Sequence, residues 1–286
     1  MKERIKIFFE LTKFRITFFV MITTGFGYLS AASYYDYKLV LVLLGTLLLA
    51  CGSAVFNNYQ ERKIDLMMER TKFRPIPSGR ISPNNALLIG IILALVGSIT
   101  LLFVNIIVFA LGLLNLVWYN LIYTPLKRKS SLAIIPGSFV GAIPPIIGWV
   151  AAGGYIFDFR ILVIAFFFFI WQIPHFWILM LKLDNDYKSA HLPTVTSIFT
   201  KTQLARITFS WTVATGVSSI LIPITLKITN SVTLFVIILM TVTIIISSLK
   251  LLRFSENSFP TVSTFRSINI FVLSVIIVLS LNKLIL

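Results

Sequence analysis

Cysteine is almost missing: Cys51 stands alone in 286 residues. A lone cysteine excludes an intramolecular disulfide and any cysteine-built metal site. Flanked by Gly52, Ser53 and Ala54, it reads as a small packing residue. Charge is thin as well, at 12% of residues, and histidine occurs twice. So little charge beside 57% hydrophobic residues and a mean hydropathy of +0.94 excludes an ordinary soluble domain. Acidic residues are the scarcer sign, 10 Asp and Glu against 25 Lys and Arg, for a formal net charge of +15. In a chain this apolar, that excess belongs to one membrane face and its contact with anionic lipid, so nucleic acid is not an expected partner.

Targeting signals are also missing. The hydrophobic run after Met1–Lys13 is too long for a signal-peptide core and has no small-residue cleavage site. No arginine- and serine-rich, acid-poor extension precedes it. It is expected to be a spanning helix, and the plasma membrane of a prokaryote is the expected address.

What is present is a series of uncharged runs, each long enough to cross a hydrocarbon core of roughly 30 Å. Nine spans are predicted at about 15–33, 38–57, 86–104, 106–123, 132–152, 160–182, 207–226, 231–249 and 267–285. They form one all-α, membrane-embedded domain over residues 1–286. The stretch Ile81–Ile122 is too long for one span and is divided near Val104–Ile107. Loop charge alternates with this count. One side holds only Asp36, Lys38, Asp158, Arg160 and Lys227. The other holds the basic residues of the N-terminus and of the loops after spans two, four, six and eight. The positive-inside rule then places the N-terminus in the cytoplasm and Leu286 outside. Two of the basic loops, 58–85 and 183–206, are loosely alike: each begins with acidic residues and contains a proline, Pro75 or Pro193. A two-half bundle has this pattern.

The densest polar stretch begins at the end of span two. Asn57, Glu61 and Asp65 are spaced i, i+4, i+8, which stacks them along one helical face. An amide and two carboxylates are hard oxygen ligands, suited to Mg²⁺ shared with a substrate diphosphate. Arg62, Lys63, Arg70 and Arg74 add cations for phosphate oxygens. A solvated, ion-paired loop would carry the same residues. At the end of span four stands Tyr123-Thr124-Pro125-Leu126-Lys127-Arg128. Pro125 is expected to end the helix or bend its extension. Lys127 and Arg128 are either membrane anchors or, with Tyr123, partners of the acidic face. Span six carries Gln172 and His175 at depth around Pro174, where polar residues face a cavity or a neighbouring helix. Asp184 and Asp186 follow it, as a second metal clamp or an ordinary surface loop. Gly137, Gly141, Pro144, Pro145 and Gly148 in span five read as packing and bending residues.

Together these residues resemble a known family. Asn57-x3-Glu61-x3-Asp65 with Arg70-Thr71-x2-Arg74-Pro75, and Tyr123-x3-Lys127, resemble the motifs of the UbiA superfamily of intramembrane prenyltransferases. Tyr123-Thr124-x-Leu126-Lys127-Arg128, Gly141-Ala142-x-Pro144-Pro145-x2-Gly148-Trp149 and Trp171-Gln172-x-Pro174-His175-Phe176 with Asp186-Tyr187 are similar, more narrowly, to its protoheme IX farnesyltransferase (haem O synthase) branch. The likeness runs from about Thr12 to Pro193 and is one of hydropathy alone beyond. It implies nine helices around a central cavity capped by polar loops. It also implies transfer of a farnesyl group from farnesyl diphosphate to a vinyl group of haem B, with Mg²⁺ as cofactor.

On that resemblance Asn57, Glu61 and Asp65 hold the metal, joined by Asp186. Arg70, Arg74, Lys127 and Arg128 bind diphosphate. Tyr123, with Trp118 and Tyr119 behind it, steadies an allylic cation, and His175 and Gln172 contact haem. A haem A synthase or a terminal oxidase is a candidate protein partner. The sequence departs from the family at Glu61, usually Asp, at Lys63, often Asp, and in its reduced second acidic motif. Prenyl transfer to a quinone precursor or lipid, and a non-enzymatic membrane carrier, are the other classes considered.

Overall fold

The computed structural model describes residues 2–253 and 261–285, and among them every regular element is a helix. A short α1 (Lys2–Leu11) leads into α2 (Phe14–Ala31), α3 (Tyr37–Asp65), α4 (Pro83–Leu102), α5 (Ile106–Leu126), α6 (Ile134–Ala151) and α7 (Phe159–Lys182). After a one-turn α8 (Asp184–Ser189) come α9 (Lys201–Thr225), α10 (Ser231–Leu251) and α11 (Ser263–Ile285). Nine of these described helices are long and apolar enough to cross a membrane. The protein is a multi-pass membrane protein, as its hydropathy predicts.

Polar caps punctuate the bundle. Asp36, Ser82, Asn105, Asp158, Thr200 and Asn230 each accept a hydrogen bond from a backbone N–H of the helix that follows. Asn105 marks the turn between the third and fourth spans, at the division expected near Val104–Ile107. One boundary differs. The second span was placed at 38–57, with the acidic row on a helical face beyond it, and α3 runs unbroken through that row to Asp65. Gln60, Glu61, Arg62 and Lys63 are good helix formers, and the face carrying Asn57, Asn58, Glu61 and Asp65 is buried, so the helix has both propensity and packing to extend.

α6 and α7 form the centre. Of their most apolar stretches 67% and 72% of residues are buried, against 28% in α4 and in α10. Phe167, Phe168, Ile164, Trp149 and Ile147 are the heart of this core. The rim helices turn Leu88, Ile92, Leu95, Phe235, Ile238 and Ile246 outward. Such a surface is stable only against lipid. Pro174 lies inside a continuous α7, whereas α6 restarts at Phe139 after the single turn Ile134–Gly137.

α2 and α6 touch backbone to backbone. A Cβ at Gly148 would lie 1.8 Å from the Thr24 carbonyl oxygen, and one at Gly27 would lie 2.0 Å from that of Pro145. Small residues permit this approach. Gly148→Ala must push the two helices apart, and a loss of about 1–3 kcal/mol is expected from such overpacking. Thermal unfolding in detergent checks it, and an unchanged midpoint would contradict the contact.

Candidate active site

The acidic face of α3 is buried, with Asn57 at 1%, Glu61 at 4% and Asp65 at 3% exposure. Each of the three meets a cation from a different segment. The Lys13 ammonium donates to Asn57 Oδ1 at 2.6 Å. Lys127 pairs with Glu61. One Arg74 nitrogen donates to both Asp65 carboxylate oxygens at 2.9 Å. The bland alternative of a solvated loop is therefore excluded: this is an enclosed row of oxygens matched by a row of cations.

Local structure explains how the face is held. α5 opens into a π-helical stretch over Trp118–Tyr123, just before Pro125. Proline brings no N–H, so the carbonyl of Asn120, five residues earlier, is left free of a helical donor. Gln60 Nε2 donates to it at 3.0 Å. The Asn120 side chain accepts from Ser53 Oγ at 2.6 Å, and Asn57 Nδ2 donates to Thr124 Oγ1 at 3.1 Å. A ladder of polar contacts thus fixes the register of α5 on α3. It brings Lys127 to Glu61, with Tyr123 beside Lys127.

Lys13 sits in the break between α1 and α2 with φ 50 and ψ 46, a left-handed conformation that costs a non-glycine residue about 1–2 kcal/mol. The contact with Asn57 holds it there. Burial of its ammonium, with Arg74 and Lys127 nearby, brings its pKa down to about 7, against the raising influence of Glu61 and Asp65.

Two glycines of α6 shape the apolar side of the site. A Cβ at Gly137 would lie 2.5 Å from the Tyr123 ring, and one at Gly141 would lie 1.4 Å from Gln172 Nε2. These positions read as architectural in the sequence, and here they seat two of the candidate functional side chains. Tyr119 stacks on Tyr123 with centroids 5.7 Å apart. Trp118 is committed elsewhere, its indole N–H donating to the Pro136 carbonyl at 2.8 Å.

Several expected members stand apart from the face. Arg62 donates to the Tyr59 carbonyl at 2.6 Å and lies over its ring, and Lys63 is exposed. Lys63 lies on the opposite side of the helix from Asn57, Glu61 and Asp65, and Arg62 to one side of that face. Arg128 donates to the Gln60 carbonyl at 2.8 Å, which braces α5 on α3. Asp184 is taken by Lys188 at 2.6 Å and by Thr196, so it does not join a second clamp. Hydrogen bonds from these two partners outweigh burial and hold its carboxyl below the ordinary range. Asp186 contributes to the electrostatic surroundings of Arg70. Among the described residues no three Asp, Glu, His or Cys side chains gather as a metal cluster.

The two polar loops do meet. Ser189 Oγ donates to the Met67 carbonyl at 3.2 Å, Met68 packs with Ala190 and Leu192, and Tyr187 reaches the gap beside Tyr123 and Lys127. Deeper in the bundle, His175 Nδ1 lies 2.8 Å from Asn269 Oδ1 on α11. The Asn269 amide nitrogen is spent on the Phe265 carbonyl at 2.8 Å, which fixes the amide with its oxygen toward the ring. In the neutral ring Nδ1 therefore carries the hydrogen and Nε2 keeps its lone pair.

Sequence reasoning missed Lys13, Asn120, Thr124, Gln60 and Asn269. Asn120 and Asn269 carried a usable signal, an uncharged amide in an apolar span. Lys13 carried none beyond its charge.

Chemically, an amide and two carboxylates fit a hard divalent cation that completes its shell with phosphate oxygens. Lys13, Lys127 and Arg74 are placed to meet the remaining anionic oxygens.

The model of the UbiA prenyltransferase family matches residues 19–275. A protoheme IX farnesyltransferase of Geobacter sulfurreducens is 42% identical over 154 residues, 54% of this chain and 57% of that protein. The same-named protein of Nitratidesulfovibrio vulgaris is 34% identical over 221 residues, 74% of this chain and 75% of that one. The match thus spans little more than half the length of the Geobacter relative. Among solved structures, a digeranylgeranylglyceryl phosphate synthase superposes with a TM-score of 0.79 at 20% identity, covering 99% of this chain and 100% of that one. A UbiA homologue from Archaeoglobus fulgidus bound to GPP and Mg²⁺ gives 0.74 at 16% identity, covering 98% and 100%. With its family model matched over nearly the whole nine-helix bundle, the chain belongs to the UbiA prenyltransferase family.

Proposed function

We propose that this chain transfers the farnesyl group of farnesyl diphosphate to a vinyl group of haem B, water adding to give haem O while pyrophosphate leaves. The observation that carries it is the buried Asn57–Glu61–Asp65 face, each member matched by a cation, with Tyr123 beside it. The names of the relatives select haem as the acceptor.

Asn57, Glu61 and Asp65 would hold Mg²⁺, which, when bound, draws electron density from the diphosphate. Lys13, Lys127 and Arg74 stabilise the negative charge that builds on the leaving group. The carbon–oxygen bond of the allylic diphosphate breaks and its electron pair departs with pyrophosphate. The stacked rings of Tyr123 and Tyr119 face the resulting allylic cation, and the bundle excludes water until the vinyl π electrons close the new carbon–carbon bond. Water then adds to the second cation and loses a proton, giving the hydroxyl. His175 offers Nε2 to haem, and Gln172 lies one turn from it. Asp186 stands with Arg70 at the loop that covers the diphosphate. The loop face is cytoplasmic, the Ile285 end of α11 is outside, with Leu286 lying beyond the described residues, and the membrane is the plasma membrane of a prokaryote. A haem A synthase or a terminal oxidase is the protein expected to receive the product.

Tritiated farnesyl diphosphate offered together with haem B and 4-hydroxybenzoate tests the acceptor. Label is expected in the haem fraction alone. Label on the benzoate would assign the site to quinone-precursor chemistry instead.

Asn269 gives a narrower prediction. Groups that orient a ligating imidazole are worth about 10–100-fold in affinity. Asn269→Ala is expected to weaken haem B binding about tenfold and to shift its Soret band. An unaltered spectrum and affinity would remove His175 from the haem site.

A further inference from the structure

A second group of cations lies outside the acidic face. α1 and the segment 66–82 border an open surface cavity of about 690 Å³, with the exposed Lys6 and Arg70 and with Arg74 and Arg80 on its walls. Arg80 is already engaged. It donates to Glu10 at 2.5 Å and to the Phe73 carbonyl at 2.7 Å, with Glu3 at 3.6 Å. Those contacts use both carboxylates of the cavity and tie α1 to the loop. Lys6 and Arg70 have no ion-pair partner among the described residues. Arg74 belongs to both places, lining this cavity while it holds Asp65. An anion leaving the acidic face past Arg74 therefore meets two cations that no direct ion pair ties up among the described residues. Burial and the neighbouring Arg74 lower the pKa of Arg70, against the raising influence of Tyr187, Asp186 and Asp65.

Resting on the transfer reaction proposed above, we infer that this cavity is a second phosphate-oxyanion site, which receives inorganic pyrophosphate from the acidic face on its way out. Guanidinium and ammonium groups are the chemistry that binds such an anion. The Arg80–Glu10 and Arg80–Glu3 contacts make α1 the outer wall of the exit. A lipid headgroup offers the same phosphate chemistry. α1 exposes Ile5, Phe8 and Phe9 and also carries Lys2 and Arg4, as a helix lying in the membrane interface does.

Equilibrium dialysis of labelled inorganic pyrophosphate with Mg²⁺ against the full chain in phosphatidylcholine nanodiscs separates these cases. Two binding steps are expected. Lys6→Gln, which keeps the Arg80 contacts, should weaken one step about tenfold, the usual scale for a lost charge-assisted contact. Lys6→Gln/Arg80→Gln should abolish that step. Glu61→Gln should remove the other step alone. Farnesyl diphosphate turnover at low product should change less than about twofold in Lys6→Gln, since Lys6 does not touch the acidic face. A single step in the parent, or a second step indifferent to both Lys6 variants, overturns the site. Loss of the second step when the discs are made of phosphatidylglycerol gives the cavity to a lipid headgroup and overturns its part in product exit. Two binding steps, one of them Lys6-sensitive, in a chain that transfers nothing to haem would leave the anion site standing and refute the reaction.

Discussion

Glu61→Gln and Asp65→Asn chains are expected to insert and fold, yet to transfer farnesyl about a thousandfold more slowly than the parent, because on the proposed reading each loses a charged oxygen ligand in a site that works by charge stabilisation. Both substitutions keep the side-chain shape and its place on α3, so the loss is one of charge. The third member of the face gives a graded comparison. Asn57→Ala removes a neutral ligand and also frees Lys13 and Thr124, which its amide now holds at 2.6 and 3.1 Å. Pyrophosphate release measured beside farnesyl-haem formation checks the prediction. Activity within tenfold of the parent in either carboxylate variant would contradict it.

Lys127→Met is expected to cost stability as well as activity. Glu61 is 4% exposed, and Lys127 is its ion-pair partner. Removing one partner of a buried pair strands the other charge and costs about 3–5 kcal/mol. Lys13 also acts electrostatically on Glu61 and remains, which puts the expected loss at the lower end of that range. Glu61→Gln/Lys127→Met should recover most of the stability and none of the activity, since the stranded charge is gone while ligand and cation are both missing. Unfolding curves of the four proteins form a double-mutant cycle. If the losses simply add, the pair contributes nothing to the fold. Recovered activity in the double variant would mean that the acidic face serves packing alone.

Some of this was legible in the residues and some was not. The nine spans were legible because each needs a long uncharged run, and loop charge gave an independent count. The end of α3 was misplaced. Polar composition at Asn58–Asp65 ends the apolar run, while the burial of one helical face by α5 and the Lys13 segment that carries α3 on to Asp65 is a tertiary effect. The i, i+4, i+8 row was legible because helical period is local. Its partners were not: Lys13 and Asn57 are 44 positions apart, and Gln60 and Asn120 are 60 apart. Arg62 and Lys63 misled because adjacency in sequence was taken for adjacency in space, and a helix turns Arg62 to one side and Lys63 to the far side. His175 was read as either a core residue or a ligand. The bond to Asn269 shows that it is satisfied at one nitrogen while the other keeps its lone pair.

The most direct test of the account is mass spectrometry of haem extracted from membranes that contain the chain, supplied with haem B, farnesyl diphosphate and Mg²⁺, with Glu61→Gln and Asp65→Asn membranes in parallel. The account predicts a hydroxyethylfarnesyl haem in the parent sample that is absent from both variants. Unchanged haem B from a folded, membrane-inserted parent would contradict it.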